Sequence, residues 1–170
     1  MDIVIREEEK QDIEAVYAVN ESAFGRADEA ELVNRLREVG VELISLVALM
    51  EGQIVGHALF SPMTLRSESE TWPTVGLGPI GVLSIYQKQS IGGKLISAGM
   101  TACHAAGYEE LFVLGHPSYY PRFGFRVTRP YHIRCAYDVP EDVFMVVELR
   151  PGALNGKSGI AHYHPAFDGV

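Results

Sequence analysis

Residues 2–6, Asp-Ile-Val-Ile-Arg, set three β-branched apolar residues between polar ends and predict a half-buried strand. A helical period follows. Ile13, Val16, Tyr17 and Ala23 recur at helical spacing over 11–23, and Leu32, Val33, Leu36 and Val39 over 28–39, with Gly40 placed as a stop. LISLVALM (43–50) and QIVGHALF (53–60) flank Glu51-Gly52, and two apolar runs around a two-residue turn holding Gly predict a β-hairpin. RSESETWPT (66–74) is polar and predicts a loop. Residues 75–84 predict the next strand, made irregular by Gly76, Gly78, Pro79 and Gly81, so a bulge or splayed edge is expected there.

A short polar loop holding Ser90, Gly92 and Gly93 follows that strand, and a helix opens almost inside it. Ile91, Leu95, Ala98 and Ala102 mark one face of this helix, which ends near Gly107. LFVLG (111–115) is a short, fully apolar strand expected at the centre of a sheet. Pro117 to Phe123 reads as a short helix or turn, and two further strands are expected near 125–135 and 143–149. After Pro151-Gly152 the chain is rich in Gly, His and Pro and shows no clear period. The order predicts an α/β fold, a mixed sheet with helices on both faces. One domain is expected over 1–150, with 151–170 as a tail that packs on the same domain or on a neighbouring subunit; a homodimer stays open.

Composition narrows the function classes. The chain has 170 residues, 47% of them hydrophobic and 21% charged, which suits one soluble domain with a real core. The net charge is −8, a poor match to nucleic acid, which rewards basic patches, and a mild preference for a cationic ligand. The same charge also serves solubility alone. Cys103 and Cys135 lack metal-ligand spacing and give no disulfide framework. The first ten residues do not have the order of a signal peptide, and no apolar run approaches the roughly 20 residues of a membrane span. A cytoplasmic protein with neither membrane nor nucleic-acid partner is therefore expected.

The junction between strand and helix carries the first chemistry. Gln87-Lys88-Gln89-Ser90-Ile91-Gly92-Gly93 aims free backbone N–H groups and the positive end of a helix dipole at one point, an anion site that suits a phosphate. Small residues are needed there because side chains would keep the amides from the ligand. The Gly-Lys-Ser/Thr of a Walker loop and the GxGxxG of a dinucleotide fingerprint are both absent. By itself such a turn serves structure as readily as phosphate binding. The second constellation is SYYPRFGF (118–125). A tyrosine there is either aromatic packing beside a turn or a proton donor, since a phenol of pKa ~10 keeps its proton at neutral pH.

Together the two stretches resemble motif A and the following segment of the GNAT superfamily of N-acetyltransferases. The family pattern Gln/Arg-x-x-Gly-x-Gly/Ala is matched by Gln87-x-x-Ser90-x-Gly92, with Ser90 where the family prefers Gly. If that position needs φ > 0, serine costs on the order of 1 kcal/mol. VLGHPSYYPRFGF is similar to one small bacterial GNAT branch that reads VLGDPxYYxRFGF, with His116 in place of Asp, and the branch shares a tail like Tyr163–Phe167. The resemblance implies a GNAT fold with a mostly antiparallel sheet splayed between strands four and five, and direct transfer from acetyl-CoA to an amine. It implies that the backbone at Ile80, Gly81 and Val82 pairs with the pantetheine arm. It implies that Lys88, Gln89, Ser90, Ile91, Gly92 and Gly93 hold the pyrophosphate. It further implies that Tyr120, five residues before the Phe of Gly124-Phe125, protonates the departing thiolate.

The base that deprotonates the amine is less well marked, because no carboxylate lies between Val75 and Leu83. Candidates are Glu29, Glu31, His57 and His116. His116 follows the central strand at its active-site end and has a suitable ordinary pKa; Glu29 and Glu31 begin a helix, where carboxylates also serve the dipole. Phe24 and His57 are candidate acceptor contacts, although a histidine inside a strand is more often a structural one. His162, His164 and Asp168 are too loosely spaced for a metal site, and no metal is expected. The acceptor is expected to be a primary amine on a small molecule, a peptide or a protein lysine. The rival reading is a non-catalytic acyl-CoA sensor or partner-binding module on the same fold.

Overall fold

The computed structural model describes residues 2–170, and its elements follow the apolar pattern closely. Strand β1 is Ile3–Glu7, helix α1 Ile13–Phe24, α2 Asp28–Glu38, β2 Ile44–Met50 and β3 Gln53–Arg66. Strand β4 is Thr71–Val82, α3 Ile91–Ala105, β5 Glu110–Leu114, β6 Arg126–Val127, β7 Ile133–Cys135, β8 Phe144–Glu148 and β9 Gly159–His162. The sheet runs β1-β2-β3-β4-β5-β8-β6, with β9 bonded to the far end of β3 and β7 bonded to β9. Its pairs are antiparallel except β4–β5 and β7–β9.

The β2–β3 hairpin turns at Glu51 and Gly52, both at positive φ (52° and 79°), the two-residue turn whose twist matches paired strands. The expected loop at 66–74 is corrected: β3 and β4 stay paired from Arg66↔Thr71 inward, so only residues 67–70 turn. The polar composition misleads there because cross-strand hydrogen bonds need no apolar side chain. β4 also ends at Val82, two residues short of the expected Ser84. The expected bulge is present. Ala58 faces Ile80 and Phe60 faces Leu77, which leaves Gly78 and Pro79 opposite Leu59 alone.

Helix α3 covers one face of the sheet. Ile91, Leu95, Ile96 and Cys103 are its buried apolar residues, packed with Val75, Leu77, Leu111 and Val113. Its centre line therefore runs through Leu95 and Gly99, and Ala98 and Ala102 are only half-buried. Gly99 makes room for the Phe60 ring, since a Cβ there would stand 1.9 Å from Cζ of Phe60 and force the ring to shift. Helices α1 and α2 cover the opposite face through Val16, Leu32, Val33 and Leu36 against Val47 and Leu59. Beyond the expected elements, β9 lies beside Thr64–Arg66, and the segment after it packs Ala166 and Phe167 on the α1–α2 cluster.

Candidate active site

β4 and β5 pair only through Val75–Leu77 and Leu111–Val113. Past Leu77 the bulge carries β4 away, and its edge at 78–82 and the β5 end at Leu114–His116 no longer meet. A cleft of about 1540 Å³ opens between them. Ile80, Gly81 and Val82 line it while their other edge stays paired with β3.

The loop before α3 forms one side of the cleft. Gln87 Nε2 donates to the Val82 carbonyl at 3.1 Å and ties the loop to β4. Lys88 and Ser90 both sit at left-handed φ (64° and 65°). Among the described residues, the backbone N–H groups from Lys88 to Gly93 find no acceptor in the protein, and the Ser90 side chain does not cap the helix. These donors and the positive end of α3 fit a phosphate. The loop rests on the turn at 119–123: a Cβ on Gly92 would stand 3.0 Å from Tyr119 Oη, and one on Gly93 3.2 Å from Phe123 Cε1. Arg122 is fixed by Nε donating to the Tyr119 carbonyl at 3.0 Å, with its guanidinium 4.6 Å from the Tyr119 ring centroid. Lys88, Lys94 and Arg122 line this side, so the cations of the cleft collect around the free amides.

Tyr120 stands at the β5 end of the cleft and is 7% exposed. Its ring packs edge-on against Tyr119 and Phe125, at 5.1 and 5.6 Å between centroids. Burial first, and the neighbouring Tyr119 second, push its phenol up to about 12. It therefore carries its proton throughout the neutral range. His116 lies two residues past β5, lines the cleft and is exposed; its backbone carbonyl accepts from the Tyr119 N–H at 3.1 Å.

On the opposite side stand Phe24 at the end of α1 and Glu29 at the start of α2. Phe24 is exposed and Glu29 buried. Both Glu29 oxygens accept from Arg26, at 3.0 Å from Nε and 2.5 Å from Nη2, and Arg26 also reaches Asp28 at 3.5 Å. Glu29 is the one Asp or Glu side chain lining the cleft among the described residues. Glu31 is exposed and lies outside the lining.

Besides Glu31, two expected site residues do not bring a side chain to the cleft. His57 as a substrate contact is corrected: it is fully buried, Asn20 Nδ2 donates to its Nδ1 at 3.0 Å, and its Nε2 bonds Ser45 Oγ at 2.8 Å. That leaves the ring no face for a ligand. The Gln89 side chain points to solvent outside the lining. Conversely, Leu32, Tyr137, Val139, Tyr163 and Phe167 line the cleft although none was an expected site residue. All but Leu32 come from the last part of the chain, where no period showed which face they occupy. Among the described residues no group of His, Cys, Asp and Glu is disposed to hold a metal ion, and no helix is long and apolar enough to cross a membrane.

Residues 4–128 match the acetyltransferase (GNAT) domain family. The uncharacterized N-acetyltransferase YhbS of Escherichia coli K12 is 35% identical over 167 residues, covering 98% of this chain and 99% of that protein. YjhQ of the same organism, also named an uncharacterized N-acetyltransferase, is 39% identical over 119 residues, 69% of this chain and 66% of that one. Among solved structures, E. coli YhbS in complex with CoA superimposes with a TM-score of 0.91 at 34% identity, over 97% of this chain and 91% of that one. A GNAT acetyltransferase of Brucella melitensis in complex with acetyl-CoA gives 0.80 at 33% identity, over 98% and 99%.

Proposed function

We infer the reaction from one premise: this chain belongs to the GNAT family of acetyltransferases. It is an enzyme that transfers an acetyl group from acetyl-CoA to an acceptor, and we read that acceptor as a primary amine. Acetyl-CoA supplies an activated acyl carbon and a thiolate leaving group. Support for this donor comes from the row of free N–H groups at 88–93 beside Lys88, Lys94 and Arg122, which suits a diphosphate, and from the CoA and acetyl-CoA complexes of the two similar structures.

The roles of individual residues are our proposal. Lys88 and the backbone from Gln89 to Gly93 hold the diphosphate, and the open β4 edge at Ile80, Gly81 and Val82 holds the extended arm. Tyr120 is the acid: it is buried at the cleft, keeps its proton to pH near 12, and delivers it as charge builds on the leaving sulfur. Of the candidate bases, His116 is the better placed. Its side chain makes no hydrogen bond among the described residues, whereas Glu29 gives both oxygens to Arg26. Glu29 then acts as a fixed negative charge on the acceptor side. The buried free thiols Cys103 and Cys135 support a reducing, cytoplasmic setting.

The observation that carries this reading is the buried Tyr120 lining a cleft that also carries a row of free backbone N–H groups suited to phosphate. Tyr120→Phe tests it. The turnover number should fall about a hundredfold or more, with the calorimetric Kd for CoA within about twofold of the parent. Equal turnover by both chains would remove Tyr120 from the mechanism. CoA binding without turnover by the parent on any amine would instead favour an acyl-CoA sensor.

A further inference from the structure

Arg122 is held in place, but not by a carboxylate. Arg6, Arg26, Arg37, Arg129 and Arg150 each pair with an Asp or Glu that offsets their charge. Arg122 is fixed by neutral groups instead. Its Nε donates to the Tyr119 carbonyl at 3.0 Å, and its guanidinium lies 4.6 Å from the Tyr119 ring centroid. Among the described residues it forms no ion pair, and neither Nη atom has a hydrogen-bond partner in the protein. The fork end of the side chain is therefore oriented and still has its donors to give.

Tyr119 links this cation to the amide loop. Its ring packs edge-on against Tyr120 and Phe123, at 5.1 and 5.3 Å between centroids. Its Oη lies 3.0 Å from where a Cβ on Gly92 would stand. Arg122 itself is exposed and lines the cleft with Lys88 and Lys94. Opposite charge is scarce around it in the sequence. Residues 71–137 hold six Lys and Arg against two Asp and Glu, in a chain whose net charge is −8. Those two, Glu109 and Glu110, are taken by Arg150 and Lys157. A pre-set guanidinium without a counter-charge, next to a cleft, matches a phosphate monoester, which it can meet through two parallel N–H···O bonds.

Coenzyme A carries two separate anionic groups, the diphosphate and the phosphate monoester on its ribose. The amides at 88–93, the positive end of α3 and Lys88 suit the first. The second is close to doubly charged at neutral pH and needs a cation outside the amide loop. We propose that Arg122 binds the ribose phosphate of the donor and thereby selects CoA over dephospho-CoA, which lacks that group. The proposal rests on the acetyl-CoA reading above and concerns the donor alone. Lys94, the remaining cation on this side, is a compact charge on an exposed, flexible stem. It adds attraction for any anion but no fork geometry with which to tell one phosphate from another.

The test is calorimetric titration of wild type, Arg122→Ala, Arg122→Lys and Lys94→Ala with CoA and with dephospho-CoA, so no acceptor is needed. Wild type should bind CoA about tenfold more tightly, the worth of one charge-assisted contact, and the preference should shrink as salt is raised from about 0.05 to about 0.5 M. Arg122→Ala should weaken CoA about tenfold and dephospho-CoA by less than about twofold. The preference then disappears, and the unchanged dephospho-CoA titration shows that the cleft is intact. Arg122→Lys should keep part of the preference, since it retains the charge and loses the fork. Lys94→Ala should keep nearly all of it. Equal affinity of wild type for the two ligands, equal losses on both in Arg122→Ala, or a preference that vanishes in Lys94→Ala instead would overturn the assignment and leave acetyl-CoA as the donor. Wild type binding neither ligand at millimolar concentration would overturn the donor reading as well.

Discussion

The Tyr120 ring lies directly over the α-carbon of Gly115: a Cβ there would come within 2.2 Å of Cε2 and 2.9 Å of Cδ2. The strand that ends in the cleft and the phenol that faces it are thus positioned by one close contact. Gly115 also donates its N–H to the Val143 carbonyl at 2.9 Å, which holds the β5 end against the segment entering β8. Only a residue without a side chain serves both demands.

Gly115→Ala should therefore act on catalysis rather than on cofactor binding. The added methyl must push the Tyr120 ring aside, at about 1–3 kcal/mol in stability. A displacement near 1 Å at the acid should lower turnover by about a hundredfold. The amide loop at 88–93 is remote in sequence and touches Tyr119 and Phe123 rather than Gly115, so CoA affinity should change by less than about threefold. Equal losses in Kd and turnover would mean that the glycine supports the whole cleft and not the phenol.

How far all this could be read from the residues depends on the kind of signal each part carries. The β2–β3 hairpin was legible because Glu51-Gly52 interrupts two apolar runs with a turn of fixed length. The splay was legible because Gly78 and Pro79 cannot continue a regular ladder. Thr71 to Thr74 were not, since this polar stretch is held by pairing with β3 rather than by an apolar face. β9 was not, because a four-residue strand shows too little alternation to stand out from its Gly- and His-rich surroundings. His57 is the structural histidine that its place in a strand favours, but its partners were not legible: nothing local says that Asn20 and Ser45, 37 and 12 residues away, close on its two ring nitrogens.

Ser90 holds a backbone conformation that glycine adopts without strain, φ 65° and ψ 15° at the start of α3. The left-handed region costs an L-residue roughly 1–2 kcal/mol, partly offset by the extra freedom glycine has when unfolded. Ser90→Gly should thus raise stability by about 0.5–1 kcal/mol and Tm by about 1–4 °C, with CoA bound as tightly or more so. Ser90→Val should do the reverse, because a β-branched residue is worse at positive φ. Thermal unfolding paired with calorimetry checks both. A lower Tm for the glycine variant would show that the serine hydroxyl contributes more than its conformation costs.

The buried Asn20–His57–Ser45 chain joins α1, β3 and β2, and its histidine should govern how the fold responds to acid. Burial first, and Arg37 second, lower the His57 pKa from the ordinary 6.5 to about 3. Above pH 6.5 the ring is neutral in folded and unfolded chains alike, so it adds no pH dependence. Between 6.5 and 3 the unfolded chain binds a proton that the folded chain refuses, and stability falls as pH falls; below 3 the loss levels off. At pH 4.5 this amounts to about 2–3 kcal/mol. His57→Gln keeps a polar side chain but cannot titrate, so the stability it loses between pH 7.5 and 4.5 should be smaller by that amount. Urea midpoints for both chains at the two pH values measure the difference directly. Parallel pH profiles would mean that the folded protein accepts the proton, and that the buried chain of hydrogen bonds opens to do so.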